Sequence, residues 1–248
     1  MLIGVLMSRP NLLNGFDRSQ VRWIVFDAVG TLIQPNPSVA AAYHTIGRRY
    51  GSQLSVEEIS ERFHRAFRQS ETDSFPGGPS PETPWLSSND IESARWNWIV
   101  GQVIPDVDDA KRCFQELWDH FASPQSWRCF EDVGPSLRSL REAGYRLAIA
   151  SNFDSRLHSV CDGLPDLQPI EHRFVSSETG YRKPSGEFYS AVLSRCECTA
   201  DQILMVGDDL KHDVTAAISK GMRAMLIDRR SNGPNGQWLT TLQELVCE

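Results

Sequence analysis

The sequence lacks the features that would direct the chain to a membrane or a nucleic acid. No run approaches the roughly 18 consecutive apolar side chains that a membrane-spanning helix requires. Acidic residues outnumber basic ones by 32 to 25, for a formal net charge of −7, whereas broad nucleic-acid binding needs a basic face. We therefore expect neither partner. A small anionic substrate is compatible with this charge, because one metal ion and one lysine reverse the field locally.

Cysteine pairs with metal-binding spacing are also missing. The chain has no pair at the two-residue spacing of a zinc knuckle. Its six cysteines are Cys113, Cys129, Cys161, Cys196, Cys198 and Cys247. This scatter favours reduced thiols and a cytoplasmic location. Internal repeats and low-complexity tracts are absent as well, so the sequence gives no indication of a repeat architecture.

The first residues do not read as a secretion signal. The apolar start, residues 1–7, has no basic segment before it and is interrupted at once by Arg9-Pro10. We expect residues 1–18 to form an N-terminal extension rather than a signal peptide.

What is present is an alternation of short apolar runs with amphipathic segments. The 248 residues, 40% of them hydrophobic, suffice for one or two domains. Strands are predicted at 23–26, 146–150, 174–175, 203–206 and 224–227, and helices at 134–143, 154–161, 185–195, 209–220 and 239–246. Single helices between strands predict a Rossmann-like parallel sheet in an α/β fold, with its core at 19–34 and 128–248.

The stretch from 35 to 127 has helical periodicity and no convincing strand. Helices are predicted at 38–50, 56–69, 91–103 and 108–121, with a Pro/Gly-rich loop at 75–84. We expect a helical cap inserted after the first strand, above the carboxyl ends of the strands, where open α/β sheets bind ligands. The tryptophans in or beside it favour core packing, with an aromatic binding box as the alternative; they are Trp85, Trp96, Trp98, Trp118 and Trp127.

Acidic residues follow two of the predicted strands. Asp208 and Asp209 come after the strand at 203–206, with Asp213 close behind, and Asp27 comes directly after the strand at 23–26. Like charges this close repel each other, and a hard divalent cation with oxygen ligands, commonly Mg²⁺, relieves the repulsion. We expect the two strand ends to share one metal. Asp209 fits the alternative of complementing a helix dipole best.

Other polar residues lie at strand ends or helix starts. Gly30 permits a tight turn whose amides can hold oxyanions, and Ser151 with Asn152 follows the second core strand. Lys183 precedes a helix and can screen charge between a carboxylate and a phosphate. Taken singly, the segment that begins at Asp27 also fits a polar strand cap, Ser151-Asn152 fits an ordinary turn, and Lys183 fits a surface lysine.

In this order, the four segments resemble the motifs of the haloacid dehalogenase-like hydrolase superfamily, over residues 21–228. The family's Asp-x-Asp-x-Thr motif matches 27–31, and its serine, lysine and acidic pair match Ser151, Lys183 and 207–209. The insertion resembles the family's first type of cap (subfamily I). Residues 151–157 and 74–76 are most similar to the rhythmically-expressed-gene-2-like branch.

The resemblance implies a phosphatase of a small phosphorylated metabolite. Asp27 would attack phosphorus and form an aspartyl-phosphate. Ser151 and Lys183 would complete the catalytic set, by hydrogen-bonding the phosphoryl group and neutralising charge. Substrate contacts would come from Gly30, Thr31, Ser151, Asn152 and Lys183. Ligands to Mg²⁺ would be Asp27, the backbone carbonyl of Val29 and Asp208, with Asp213 or Asp209 supporting.

One position departs from the family pattern. Phosphatases of the family have a second aspartate, the general acid and base, where this chain has Val29. General acid–base catalysis contributes about 100- to 10,000-fold, so turnover should be slow unless the leaving group is good or another side chain supplies the proton. The candidates for that role are His44, His64, His120, Glu82 and Asp73.

Two alternatives to the phosphatase remain open. The family's haloacid dehalogenases also lack the second acid and use no metal, but their fourth motif has fewer acidic residues than residues 208–213 have here. A non-catalytic binding protein that kept the fold is the other alternative.

Overall fold

A five-stranded parallel sheet forms the centre of the chain, for which a computed structural model describes residues 20–72, 75–230 and 238–246. The strands are β1 (Trp23–Phe26), β2 (Ile33–Pro35), β3 (Trp127–Cys129), β4 (Arg146–Ser151), β5 (His172–Val175), β6 (Ile203–Gly207) and β7 (Arg223–Leu226). The sheet order is β5-β4-β1-β6-β7, and its pairings are parallel. The predicted α/β fold with a parallel sheet is confirmed.

The sheet is covered on both faces. Ile24 and Phe26 of β1 join one apolar cluster, whereas Trp23 and Val25 join the other, as the two-residue alternation of a strand requires. The covering helices are α5 (Val133–Glu142) and α6 (Arg156–Asp162) on the first face, and α8 (Gly186–Cys196) and α9 (Ala216–Ser219) on the second. Burial on both faces explains why the strands read as continuous apolar runs.

The helix predicted at 209–220 is wrong in form. It is a π-helix, Leu210–Thr215, followed by the short α9. The Asp209 carboxylate accepts hydrogen bonds from the amides of Lys211 and His212, and the Tyr189 hydroxyl donates to the His212 carbonyl. The bonds to Asp209 cap amides that have no partner within the helix, whereas the Tyr189 hydroxyl competes for a carbonyl inside it. Single π-turns often occur at functional sites.

The last predicted helix is also shorter than expected. Residues 242–245 form a single 3₁₀ turn, Leu242–Leu245, instead of a helix over 239–246. A further single turn, α7 (Ser176–Thr179), follows β5 and was not predicted.

Four α-helices lie between β2 and β3 in the described part of the chain, and we call residues 36–126 the insertion. They are α1 (Val39–Arg49), α2 (Val56–Thr72), α3 (Asn89–Val103) and α4 (Ala110–Ala122). The helices share an apolar cluster of their own, separate from those of the sheet. Ser38, Ser88 and Asp109 cap α1, α3 and α4 through their side-chain oxygens, as polar residues at helix starts commonly do.

A two-stranded antiparallel ribbon joins the insertion to the sheet domain. In it β2 pairs with β3, with Ile33 opposite Cys129 and Pro35 opposite Trp127. The expectation that 35–127 contains no strand was therefore wrong at its two ends, because three-residue strands are too short to leave a periodic signal. The division of the chain into core and cap stays a prediction.

Some expectations fall on residues outside the described ranges. These are the N-terminal extension at 1–18, the candidate proton donor Asp73, Ser74 of the branch motif, and Cys247. Among the helices that the structure describes, none combines the length and apolar character needed to cross a bilayer. The cytoplasmic location stays a prediction.

Candidate active site

Three carboxylates converge where β1 and β6 end side by side. The Asp27 amide donates to the Val206 carbonyl at 2.8 Å, which fixes the strand end, and Asp208 follows β6 directly. Asp27, Asp208 and Asp213 each offer an oxygen within 4.8 Å of the others. We call these three residues, together with Lys183, the acid cluster. It lies at the ends of β1 and β6, neighbouring strands from which the chain continues in opposite directions across the sheet. This is the usual ligand-binding position in such folds.

Lys183 is buried inside this cluster. Its Nζ lies 2.6 Å from Oδ1 of Asp27 and 2.5 Å from Oδ1 of Asp213, and the residue is 2% exposed. The alternative of a surface lysine is therefore wrong. The Lys183 ammonium forms salt bridges with Asp27 and Asp213 but not with Asp208.

Two glycines make room for the acids. A Cβ on Gly30 would come within 2.3 Å of the Asp208 carboxylate, and a Cβ on Gly207 within 2.2 Å of Asp213. Gly30 also has φ +90°, a backbone region that favours glycine. Its amide donates to the Ile33 carbonyl at 2.9 Å. Gly30 thus shapes the turn, and its own amide is not free for a substrate oxygen, contrary to the role expected for it.

The cluster holds more negative charge than its one lysine balances. Burial raises the pKa of Asp27 to about 6, against the attraction of Lys183. Partial burial, followed by repulsion from Asp27 and Asp213, raises the pKa of Asp208 to about 7, although one side of Asp208 stays open to solvent. Burial disfavours charged Lys183, but Asp213 and Asp27 outweigh it and raise the lysine pKa above its usual range. The donor set therefore fits an additional cation with a preference for oxygen ligands.

Two hydroxyl residues flank the acids. Ser151 is the last residue of β4, the neighbour of β1, and is buried. Thr31 is fully buried, and its Oγ1 has no hydrogen-bond partner, an arrangement that is costly in a folded protein. Both remain candidates for contacts to a phosphoryl group.

Two predicted site residues have structural roles instead. Asn152 binds the Lys183 backbone in both directions: its Nδ2 donates to the carbonyl at 3.0 Å, and its Oδ1 accepts from the amide at 2.7 Å. Asn152 thus positions the lysine, and its contact with substrate stays a prediction. The Asp209 carboxylate caps the π-helix and also pairs with His212, whose hydrogen bonds hold the pKa of Asp209 well below its usual range. It lies outside the carboxylate triad, as the helix-dipole alternative predicted.

Val29 lies where the sheet meets the insertion, and no acidic residue in the described lining of the cavity there takes the role of the missing aspartate. The Val29 side chain is 37% exposed and lines an apolar cavity of about 280 Å³. The lining residues include none of the proposed proton donors within the described ranges, namely His44, His64, His120 and Glu82. His64 and Glu82 are exposed elsewhere, and His120 contacts Ser126.

The tryptophans divide between the two expectations. Trp96, Trp118 and Trp127 line the cavity. Trp98 packs on Phe75, and Trp85 lies beneath the Lys211 ammonium. Of the first group, Trp127 also belongs to an apolar cluster of the sheet, and Trp96 packs against that of the insertion.

A second cluster of buried charges lies beside the first and was not predicted. Glu71 pairs with Arg95 and, at 2.7 Å, with Arg182, while Arg95 also lies 3.6 Å from Glu92. We call these two acids and two arginines the paired cluster. It joins α2 and α3 to the residue before Lys183. No local pattern indicates it, because its members are up to 111 positions apart.

The fold and the acid cluster define a hydrolase of the haloacid dehalogenase type. A family model described as haloacid dehalogenase-like hydrolase matches residues 21–221. The chain therefore belongs to this family, which confirms the resemblance. The branch within the family stays a prediction.

Similar proteins are found among curated sequences and solved structures. The chain is 26% identical over 220 residues to haloacid dehalogenase-like hydrolase domain-containing protein 3 of Danio rerio, covering 86% of this chain and 87% of the relative. A HAD phosphatase from Thermococcus onnurineus matches with 24% identity and a TM-score of 0.63, over 91% of this chain and 96% of that one. An L-2-haloacid dehalogenase matches with 18% identity and a TM-score of 0.70, over 91% and 97%. At these identities the two structures establish the fold alone.

Proposed function

We propose that the chain is a Mg²⁺-dependent phosphatase of a small phosphorylated metabolite. The observation that carries the proposal is the acid cluster, in which three carboxylates offer oxygens within 4.8 Å of one another and one buried lysine contacts two of them. An unbalanced cluster of this kind matches the hard-oxygen preference of Mg²⁺. Asp27, Asp208 and Asp213 would hold the ion, together with the Val29 carbonyl. When bound, it would supply positive charge that offsets the phosphoryl oxygens.

Asp27 is the proposed nucleophile. A carboxylate oxygen of Asp27 attacks phosphorus, the bond from phosphorus to the leaving oxygen breaks, and an aspartyl-phosphate forms. Water then attacks phosphorus, which releases inorganic phosphate and restores the carboxylate. Lys183 holds Asp27 at 2.6 Å, and Ser151 and Thr31 are the proposed partners of the phosphoryl oxygens. Asn152 supports the reaction by fixing the Lys183 backbone.

The insertion is the proposed cap of this site. It meets the sheet domain through a bridge between Leu86 and Tyr181 and through Asn89, whose Oδ1 accepts from the Ser155 amide at 3.0 Å. Covering a site in this way excludes water and strengthens the electrostatic interactions inside it.

Val29 implies slow turnover on substrates with poor leaving groups. Valine cannot protonate a leaving oxygen, and the described lining of the adjoining cavity supplies no carboxylic acid or histidine. We expect the loss of roughly 100- to 10,000-fold that accompanies a missing general acid.

A metal-independent 2-haloacid dehalogenase is the second candidate. The apolar side chain at Val29 and the apolar cavity beside it favour this reading. In that reaction Asp27 would displace halide from carbon. Halide release that persists in chelator would establish the dehalogenase, and its absence would remove it. The unbalanced acid cluster favours the phosphatase.

The deciding experiment is an assay of the purified protein with phenyl phosphate, with Mg²⁺ or with chelator. We expect Mg²⁺-dependent phosphate release that Asp27→Asn lowers at least about 1,000-fold. The matched control is Asp166→Asn, a half-exposed carboxylate that pairs with Arg138 and lies outside the acid cluster; it should keep full activity. No release above background, with no change in Asp27→Asn, would remove the phosphatase and leave the dehalogenase or a binding protein with this fold.

A further inference from the structure

Most of the described residues that line the cavity beside Val29 are aromatic. It measures about 280 Å³, and nine of its fifteen described lining residues are aromatic. Trp96 and Trp118 come from the insertion and Phe153 from the sheet domain. We call this space the aromatic chamber. For comparison, an apolar cavity of about 150 Å³ already accepts benzene.

The charge in the chamber is already neutralised. Arg156 is the one charged residue in the described lining. Its Nε and Nη2 each lie 2.7 Å from an oxygen of buried Asp154, and its Nη1 donates to the Trp118 carbonyl at 3.3 Å. Its guanidinium also lies over the Trp118 ring at 3.4 Å. With its donors engaged in this way, Arg156 presents little to an anion, and the chamber suits an uncharged apolar group.

One residue that lines the chamber, Val29, follows the proposed nucleophile Asp27 by two positions in the sequence. The Val29 side chain lines it, and Asp27 precedes Val29 at the same strand end. A substrate whose phosphorus reaches Asp27 would therefore extend its next group past Val29. That group is the leaving group of the reaction.

We propose that the substrate is a phosphate ester of an aromatic alcohol, with its ring in the aromatic chamber. This inference rests on the proposed phosphatase function. Asp27 attacks phosphorus, the bond from phosphorus to the aryl oxygen breaks, and the aryl oxide leaves and takes a proton from water. Water then attacks phosphorus in the aspartyl-phosphate and releases phosphate.

The chemistry of the leaving group explains why valine suffices at position 29. A phenolic hydroxyl has a pKa of about 10, whereas an alkyl alcohol is closer to the pKa of about 15.7 of water. An aryl oxide therefore needs far less proton donation as it departs. The apolar chamber and the missing acid thus point to the same class of substrate.

The test compares 2-naphthyl phosphate with acetyl phosphate, both with Mg²⁺. Acetyl phosphate also has a good leaving group, but it has no ring to bury. We expect the KM for 2-naphthyl phosphate to be at least about tenfold lower, from burial of the ring. Val39→Trp, which enlarges a partly buried lining residue, should reduce the ratio of kcat/KM between the two substrates about tenfold.

A matched control and a binding measurement complete the test. Ile218→Trp introduces the same side chain at an exposed position of α9 outside the chamber, and it should keep the wild-type ratio. Binding of 2-naphthol, followed by tryptophan fluorescence, should be saturable and weaker in Val39→Trp.

The outcomes separate the two proposals. Hydrolysis of acetyl phosphate with no preference for the naphthyl ester, or a ratio unchanged by Val39→Trp, would overturn the inference and leave the phosphatase standing. Hydrolysis of neither phosphate would overturn the phosphatase and, with it, the aryl ester as substrate. If circular dichroism shows that Val39→Trp has lost its fold, the KM comparison in the wild-type protein decides.

Discussion

The acid cluster and the paired cluster meet at the adjacent residues Lys183 and Arg182, but they differ in charge balance. Lys183 faces three carboxylates, of which Asp27 and Asp213 contact it directly. Its neighbour Arg182 joins a cluster of two acids and two arginines. Both clusters are largely buried, where an uncompensated charge is expensive. A cluster whose charges balance can be purely structural, whereas a cluster with excess negative charge favours the binding of a cation.

The pKa directions show the same contrast. Burial acts to raise the pKa of Glu71, but Arg95 and Arg182 outweigh it and hold the value below the usual range. In the acid cluster burial prevails, and the pKa of Asp27 rises to about 6 despite Lys183. Glu71 is thus stabilised as a carboxylate by its neighbours, while Asp27 is not.

The largest expected effect comes from removing one cation from each cluster. Lys183→Met and Arg95→Met should each lower the free energy of unfolding by about 3–5 kcal/mol, because each leaves buried carboxylates uncompensated. Added Mg²⁺ should restore part of the loss in Lys183→Met and none in Arg95→Met. Urea denaturation with Mg²⁺ and with chelator measures both. Equal responses of the two variants to Mg²⁺ would remove the distinction between the clusters.

A smaller effect is expected when the paired cluster loses an acid. Glu71→Gln should lower stability at pH 7 by about 2 kcal/mol, the scale of a hydrogen bond to a charged group. Because the folded pKa of Glu71 lies below the unfolded value of 4.5, its contribution is present above pH 4.5 and is lost as the pH falls through the folded pKa. Melting curves from pH 7 to pH 3 should show the wild type and variant converging. A constant difference would contradict the proposed pairing.

The smallest effect has the opposite sign. Asp208→Asn should stabilise the metal-free protein at pH 7 by about 1 kcal/mol, an amount reduced by solvent screening of this exposed carboxylate. The folded pKa of Asp208, about 7, lies above the unfolded 3.8. The folded state therefore binds more protons between these values, and stability in chelator falls as the pH rises through this window. Asp208→Asn should make the stability in chelator depend less on pH in this window. If the variant is less stable than the wild type in chelator, the neighbouring carboxylates do not repel Asp208.

The sequence predicted the features that local patterns encode. Apolar runs ending in Asp27 and Asp208 placed both acids at strand ends, and a parallel sheet brings such ends to one edge. The helices of the insertion followed from their periodicity. Gly30 was expected to adopt a tight turn, and it does so with φ +90°.

Features that depend on distant partners could not be predicted in this way. Asn152 binds the backbone of Lys183, 31 positions away, and the same pair of sequence letters fits an ordinary turn. The paired cluster and the aromatic chamber are assembled from segments that only the tertiary fold brings together. The π-helix depends on contacts such as that of Tyr189 with His212, which helical periodicity does not record.

Isothermal titration of the chain with Mg²⁺ tests the role of the acid cluster most directly. We expect one saturable site per chain in the wild type and in the Asp166→Asn control, and an affinity at least about tenfold lower in Asp208→Asn. Absence of saturable binding in the wild type, or equal affinity in Asp208→Asn, would contradict a divalent ion held between Asp27 and Asp208.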